Sequence, residues 1–82
     1  MNHLQNNAIN DVLLERDRQE NKWGEQNHIP LYWLAILGEE VGEVNRAVLE
    51  KDDENYRAEL IQVAAVAVAA VENYDRDQAR SD

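Results

Sequence analysis

The sequence predicts an all-α fold: a compact bundle of about three main helices per chain, completed by oligomerisation. Apolar residues recur at helical spacing through most of the chain. No segment alternates apolar with polar residues or carries a hairpin dipeptide such as Asn-Gly. In the stretch Leu60 to Val71, only Gln62 is polar. A helix apolar all round needs neighbours all round, and two other helices of the same chain cannot wrap it, so a second subunit is expected. The 82 residues form one domain, 1–82. A chain of this size buries only about 60% of the surface its unfolded form exposes, and association is a common remedy.

The first helix is expected from about Ala8 to Lys22, with Ile9, Val12, Leu13 and Arg16 on one face and several asparagines available as caps. Gly24 suits the left-handed position past a helix end, and "EQNHIP" reads as a short loop. Pro30 belongs at or before the first turn of the second helix, expected from about Leu31 to Glu50. "KDDEN" makes the next turn, with Asp52 or Asp53 as the cap of a third helix from about Glu54 to Tyr74. The charged tail, about 75–82, is expected to fray. Gly38 and Gly42 share a face of the second helix, and close packing is the expected reason for them.

Charge and composition narrow the function. Seventeen acidic and eight basic residues give a net charge of −9, which would repel a nucleic-acid polymer but leaves metal-dependent phosphate chemistry open. The absence of cysteine rules out a disulfide framework, a zinc-thiolate site and a nucleophilic thiol. The first twelve residues do not read as a signal peptide. The longest apolar run, "VAAVAVAAV", is far short of the roughly 20 residues that span a bilayer. A cytoplasmic protein without a membrane partner is expected.

The stretch "LGEEVGEV" holds Glu39, Glu40 and Glu43. On the second helix Leu34, Leu37, Val41, Val44 and Val48 form one seam, and Trp33, Ile36, Glu40, Glu43 and Ala47 form another beside it. Residues three apart on a helix have Cβ atoms about 5–6 Å apart, so Glu40 and Glu43 can converge, with Glu39 on the more exposed side. On the third helix Glu59 and Gln62 repeat the spacing in a seam continued by Val66 and Ala69. Antiparallel packing of the two helices would set three carboxylates and an amide oxygen around one point. That all-oxygen set suits Mg²⁺, or Mn²⁺, better than zinc. The alternative is a solvated acidic face, the commoner fate of clustered glutamates.

"EEVGE" followed by "AELIQV" resembles the E-E-x-x-E … E-x-x-D signature of the MazG-like all-α nucleoside triphosphate pyrophosphohydrolases. "RDRQENKWGEQNHIP" is similar to that superfamily's lead-in, with Trp23 and the string Gln26, His28, Pro30. The likeness spans about residues 15–74. It implies a homo-oligomeric helical bundle, a dimer or dimer of dimers. Its activity would be Mg²⁺-dependent hydrolysis of a (deoxy)nucleoside triphosphate to monophosphate and pyrophosphate. By motif position Glu40, Glu43, Glu59 and Gln62 would ligate the metal, and Glu39 would hold a second ion or orient the attacking water. One departure stands out: the signature's last Asp is Gln62, which brings no charge and cannot act as a base. A catalytically weak or inactive nucleotide- or metal-binding oligomer of the same fold is therefore the alternative.

Trp23 and Trp33 are candidates for stacking on a base, and His28 for contacting a base or sugar, although core packing and loop capping would also account for them. Arg57, Arg76 and Arg80 are candidates for meeting the leaving pyrophosphate, or are solvated surface cations.

Overall fold

The computed structural model describes residues 2–81. Among them are three helices and no strand: α1 (His3–Trp23), α2 (Pro30–Leu49) and α3 (Asp53–Ser81). The all-α expectation is met.

α1 starts a turn earlier than its apolar periodicity implies, because Asn2 caps it: the side chain accepts from the Gln5 backbone N–H at 2.8 Å. It ends at Gly24, whose φ of 73° favours glycine and whose N–H closes the last turn on the Glu20 carbonyl. Pro30 opens α2 at the position where its missing N–H costs nothing. In the tight turn to α3, Lys51 takes φ 57° and the Asp52 carboxylate accepts from the Asn55 N–H at 3.2 Å.

The third helix departs from expectation at its far end. The tail expected to fray is helical from residue 75 through Ser81; Asp82 lies outside the described residues. Arginine contacts with the α1–α2 loop accompany the extension. Arg76 donates to the Gln26 carbonyl at 2.8 Å and to the Asn27 side chain at 3.0 and 3.1 Å. Arg80 lies 3.6 Å from Glu25 and 3.8 Å from Asp77. The end of α3 is thus tied to the α1–α2 loop.

α3 is the central element. α1 and α2 each pack against it rather than against one another, in a flat body of 47 × 30 × 23 Å. The α2–α3 pair is antiparallel, since Trp33 near the start of α2 bonds Asn73 in the second half of α3. The core is small: Trp33, Val66 and Ala69, backed by Ile36, Leu37 and Ala70. Ala47 and Ala65 are also buried.

Of the two α2 seams, the one carrying the carboxylates faces inward. Trp33 and Ala47 are buried, and Ile36, Glu40 and Glu43 half-buried. In the other seam Leu34, Val41 and Val48 remain exposed, as do Leu60, Val68 and Val71 of α3. The close approach expected at Gly38 and Gly42 is not made among the described residues: a Cβ at either would meet nothing within 4 Å. No helix of the described residues is long and apolar enough to cross a membrane.

Candidate functional site

The α2–α3 packing brings Glu40 and Glu59 into electrostatic contact, with Glu43 and Glu39 beside them. Partial burial, followed by repulsion from Glu59, Glu43, Glu39 and Glu15, holds the Glu40 carboxyl above its ordinary pKa. Such an elevation belongs to like charges crowded at a half-dry surface, not to a fully solvated face. Glu43 reaches Arg46 at 3.7 Å on its own helix. No ion pair among the described residues neutralises Glu40 or Glu59. The cluster's chemistry, several carboxylates with too little positive charge, suits a hard divalent cation. The side chains as placed do not form a finished site, since no three His, Cys, Asp or Glu side chains of the described residues converge in ligating geometry. Holding an ion there would require rotation about side-chain bonds, with Glu43 turning from Arg46.

One member was not foreseen. Glu15 of α1 lies within reach of Glu40's charge. It is neutralised locally by Arg18, whose guanidinium donates to both carboxylate oxygens at 2.6 and 2.8 Å and holds the acid below its usual range. Helical spacing from Arg16 could have flagged it, because Glu15 and Gln19 flank the residue that faces α3.

Gln62 is tied to α1. Its amide oxygen receives a long contact, 3.5 Å, from the Gln19 side-chain NH₂. The Gln19 amide oxygen accepts from Arg16 at 2.9 Å. Gln19, Gln62 and Glu40 line a cleft of about 180 Å³ together with Trp23, Gln26, Trp33, Ile36, Val66 and Ala69. Carboxylate, amides and apolar walls thus meet in one recess.

The remaining candidates are placed unevenly. Trp23 lines the cleft and is half exposed, with the Lys22 ammonium 4.7 Å from its ring centroid. Trp33 is buried; its indole N–H donates to Asn73 at 2.7 Å, so its role includes the core. His28 is not brought to the carboxylates. Its ring packs against Tyr32 and Trp33 at 4.5 and 4.9 Å, and its backbone N–H donates to Asn73 at 2.8 Å. It lines a separate groove of about 330 Å³ with Leu34, Leu37 and Tyr74. Arg57 is exposed and paired with Asp11 at 2.7 Å, bordering a shallow groove that also holds Arg18, Glu15 and Gln62. Arg76 and Arg80 are engaged with the α1–α2 loop.

Two buried polar groups among the described residues organise this geometry; the sequence placed Arg16 on a helix face without its burial and did not single out Asn73. Arg16 is 7% exposed and fixes α1 to α3 through Glu72. Asn73 is 3% exposed, accepting from the His28 backbone and the Trp33 indole while donating to Asp77 at 3.2 Å. In comparisons with known proteins, no family model, no curated protein and no solved structure matches this chain.

Proposed function

We propose that this chain is a Mg²⁺-dependent nucleotide pyrophosphohydrolase, converting a (deoxy)nucleoside triphosphate to monophosphate and pyrophosphate in the cytoplasm. The observation that carries this reading is Glu40: half-buried, facing Glu59 across the α2–α3 seam with Glu43 beside it on α2, and without a counter-ion among the described residues. Buried like charges persist where something else compensates them, and a divalent cation bound with a triphosphate does so. The resemblance of "EEVGE" and "AELIQV" to the MazG-like signature supplies the reaction class.

In this reading Glu40, Glu43 and Glu59 hold the ion, and Mn²⁺ substitutes for Mg²⁺. Bound there, the metal would neutralise the phosphate oxygens and lower the pKa of the attacking water. Glu39, exposed on the outer side of the cluster, orients that water. Trp23 offers an aromatic face at the cleft. Arg57 and Arg18 border the neighbouring groove and supply positive charge for the phosphates once released from Asp11 and Glu15.

A homo-oligomer, a dimer or dimer of dimers, belongs to the same proposal. Its support is the exposed apolar surface of Leu34, Val41 and Val48, the uncovered Leu60 and Val71, and open space over Gly38 and Gly42. A second copy would bury that surface.

The second reading is an oligomer that binds metal or nucleotide with little or no turnover. Gln62 favours it, because its amide is held by α1 and supplies no fourth carboxylate. One experiment separates the two. Each common nucleoside triphosphate is incubated with Mg²⁺ or Mn²⁺ and pyrophosphate release is measured, with Glu40→Gln and Glu59→Gln as controls. Metal-dependent release lost in both controls supports the enzyme. No release, with metal binding retained, supports the second reading.

A further inference from the structure

The cleft contains a pair of amides whose polarity is fixed by their neighbours. The Arg16 guanidinium can only donate, and it donates to the Gln19 amide oxygen at 2.9 Å. The NH₂ end of Gln19 must therefore face the opposite way. That end makes only long contacts, 3.4 Å to Glu15 and 3.5 Å to the Gln62 amide oxygen. Both exceed the usual 2.7–3.2 Å of N–H···O bonds, so the donor of Gln19 and the acceptor of Gln62 are only partly used. They sit side by side in the cleft, with apolar walls from Ile36, Val66 and Ala69 and the Trp23 ring alongside.

We infer that Gln19 and Gln62 form a base-reading edge: the cleft takes a nucleobase that presents an acceptor to Gln19 and an adjacent ring or exocyclic N–H to Gln62. The inference rests on the nucleotide reading above and assigns position 62 to recognition of the base instead of the metal. Four features of the cleft favour a base over a sugar or phosphate. Its apolar walls suit a flat ring. Its volume, about 180 Å³, is below the 300–1,000 Å³ typical of sites enclosing a whole ligand, so one part of a nucleotide enters it. The adjacent donor and acceptor match the edge of a base. Glu40 on the same wall would repel a bare phosphate.

The test uses nucleosides, which carry no phosphate and need no metal, on the full chain with a chelator present. Side-chain amide and indole resonances are followed as the four common nucleosides are titrated to millimolar concentration. At least one nucleoside is expected to shift the Gln19 and Gln62 NH₂ signals and the Trp23 indole saturably, whereas ribose leaves them unmoved. For a uracil or thymine nucleoside that binds, N3-methylation removes the N–H offered to Gln62 and should weaken binding about tenfold, equivalent to about 1.4 kcal/mol. Gln62→Leu should abolish the nucleoside response while leaving Mn²⁺ broadening of the glutamate signals unchanged. Amide signals that no nucleoside moves, in a protein that still releases pyrophosphate with Mg²⁺, would overturn the base-reading edge and leave the enzyme proposal intact. Loss of Mn²⁺ broadening in Gln62→Leu would overturn it too, returning that residue to the metal. Nucleoside binding without any metal-dependent hydrolysis would do the reverse, sustaining the edge and removing the enzyme.

Discussion

Replacing Glu72 by Gln should loosen α1 from α3. Glu72 accepts twice from Arg16, from Nε at 3.1 Å and from NH2 by a shorter contact, and Arg16 is almost wholly buried. An amide of the same shape keeps one acceptor, loses the charge, and turns an NH₂ toward a guanidinium that can only donate. Hydrogen bonds to charged groups are worth about 1.5–3 kcal/mol each. The loss is smaller than two such bonds because Arg16 keeps Glu20 at 2.5 Å and Gln19 at 2.9 Å. Glu72 is also 39% exposed, so water recovers part of the interaction. The expected cost is about 1–2 kcal/mol, or roughly 5–15 °C in Tm for a domain of this size.

Circular dichroism melts at one fixed protein concentration measure this, since association would otherwise move the midpoint. The acid limb supplies a second readout. The Arg16 hydrogen bond holds the Glu72 carboxyl below its usual pKa. A carboxylate with a depressed folded-state pKa contributes stability that is fully present above the unfolded value, about 4.3, and lost as pH falls through the folded one. The gap between parent and Glu72→Gln should therefore be full at pH 7 and shrink in acid. A variant that melts with the parent at neutral pH, or a gap unchanged at low pH, would refute the assignment of this pair as α1's anchor.

Glu40→Gln should act in the opposite direction. Its folded pKa is raised, so ionising Glu40 costs stability as pH rises towards and through that value, and in chelator at pH 7 the variant should melt a few degrees above the parent. In millimolar Mg²⁺ or Mn²⁺ the parent should gain stability and the variant little; equal gains would place the ion elsewhere. Val41→Lys alters a residue that is 43% exposed within the chain, so sedimentation should show a smaller, still helical species than the parent; a parent that is already a stable folded monomer would defeat this expectation. Asn73→Ala strands the Trp33 indole N–H and the His28 backbone N–H, at about 1–3 kcal/mol for each donor left buried, and urea unfolding should report a loss of about 2–4 kcal/mol.

Local signals made much of this fold legible. Pro30 and Gly24 fixed helix ends because each acts through its own backbone, and Asp52 caps through its own side chain. The inward placement of Glu40 and Glu43 could be read because Trp33 and Ala47 share their seam. What escaped the sequence were the side-chain bonds that tie α1 and the α1–α2 loop to α3. Arg76 and Arg80 reach the α1–α2 loop from the helical residues 75–81, and no pattern within "DRDQARSD" announces that. Arg16 was readable as part of a helix face, but its burial depends on Glu72, 56 residues away. The fate of Gln62 turned on α1, whose approach to α3 is decided by that same pair.

The coupling between anchor and site follows from these contacts. Glu15 and Gln19 are four apart on α1, so both lie beside Arg16 and move with it. Docking α1 therefore sets Gln19 against Gln62 while bringing Glu15 towards Glu40. The first contact is weakly favourable and the second is repulsive. The repulsion is modest, since Glu15 acts on Glu40 less than Glu59, Glu43 or Glu39 does. Arg18 offsets part of this by neutralising Glu15, and the Arg16–Glu72 pair holds the helix down against the rest. A cation among the glutamates removes the opposing contribution. Metal binding should accordingly tighten α1 on α3 as well as fill the carboxylate cluster, and the Glu72→Gln penalty should be smaller with Mg²⁺ than in chelator. If the penalty is the same in both, the anchor and the acidic cluster act independently, and α1 is only a structural buttress.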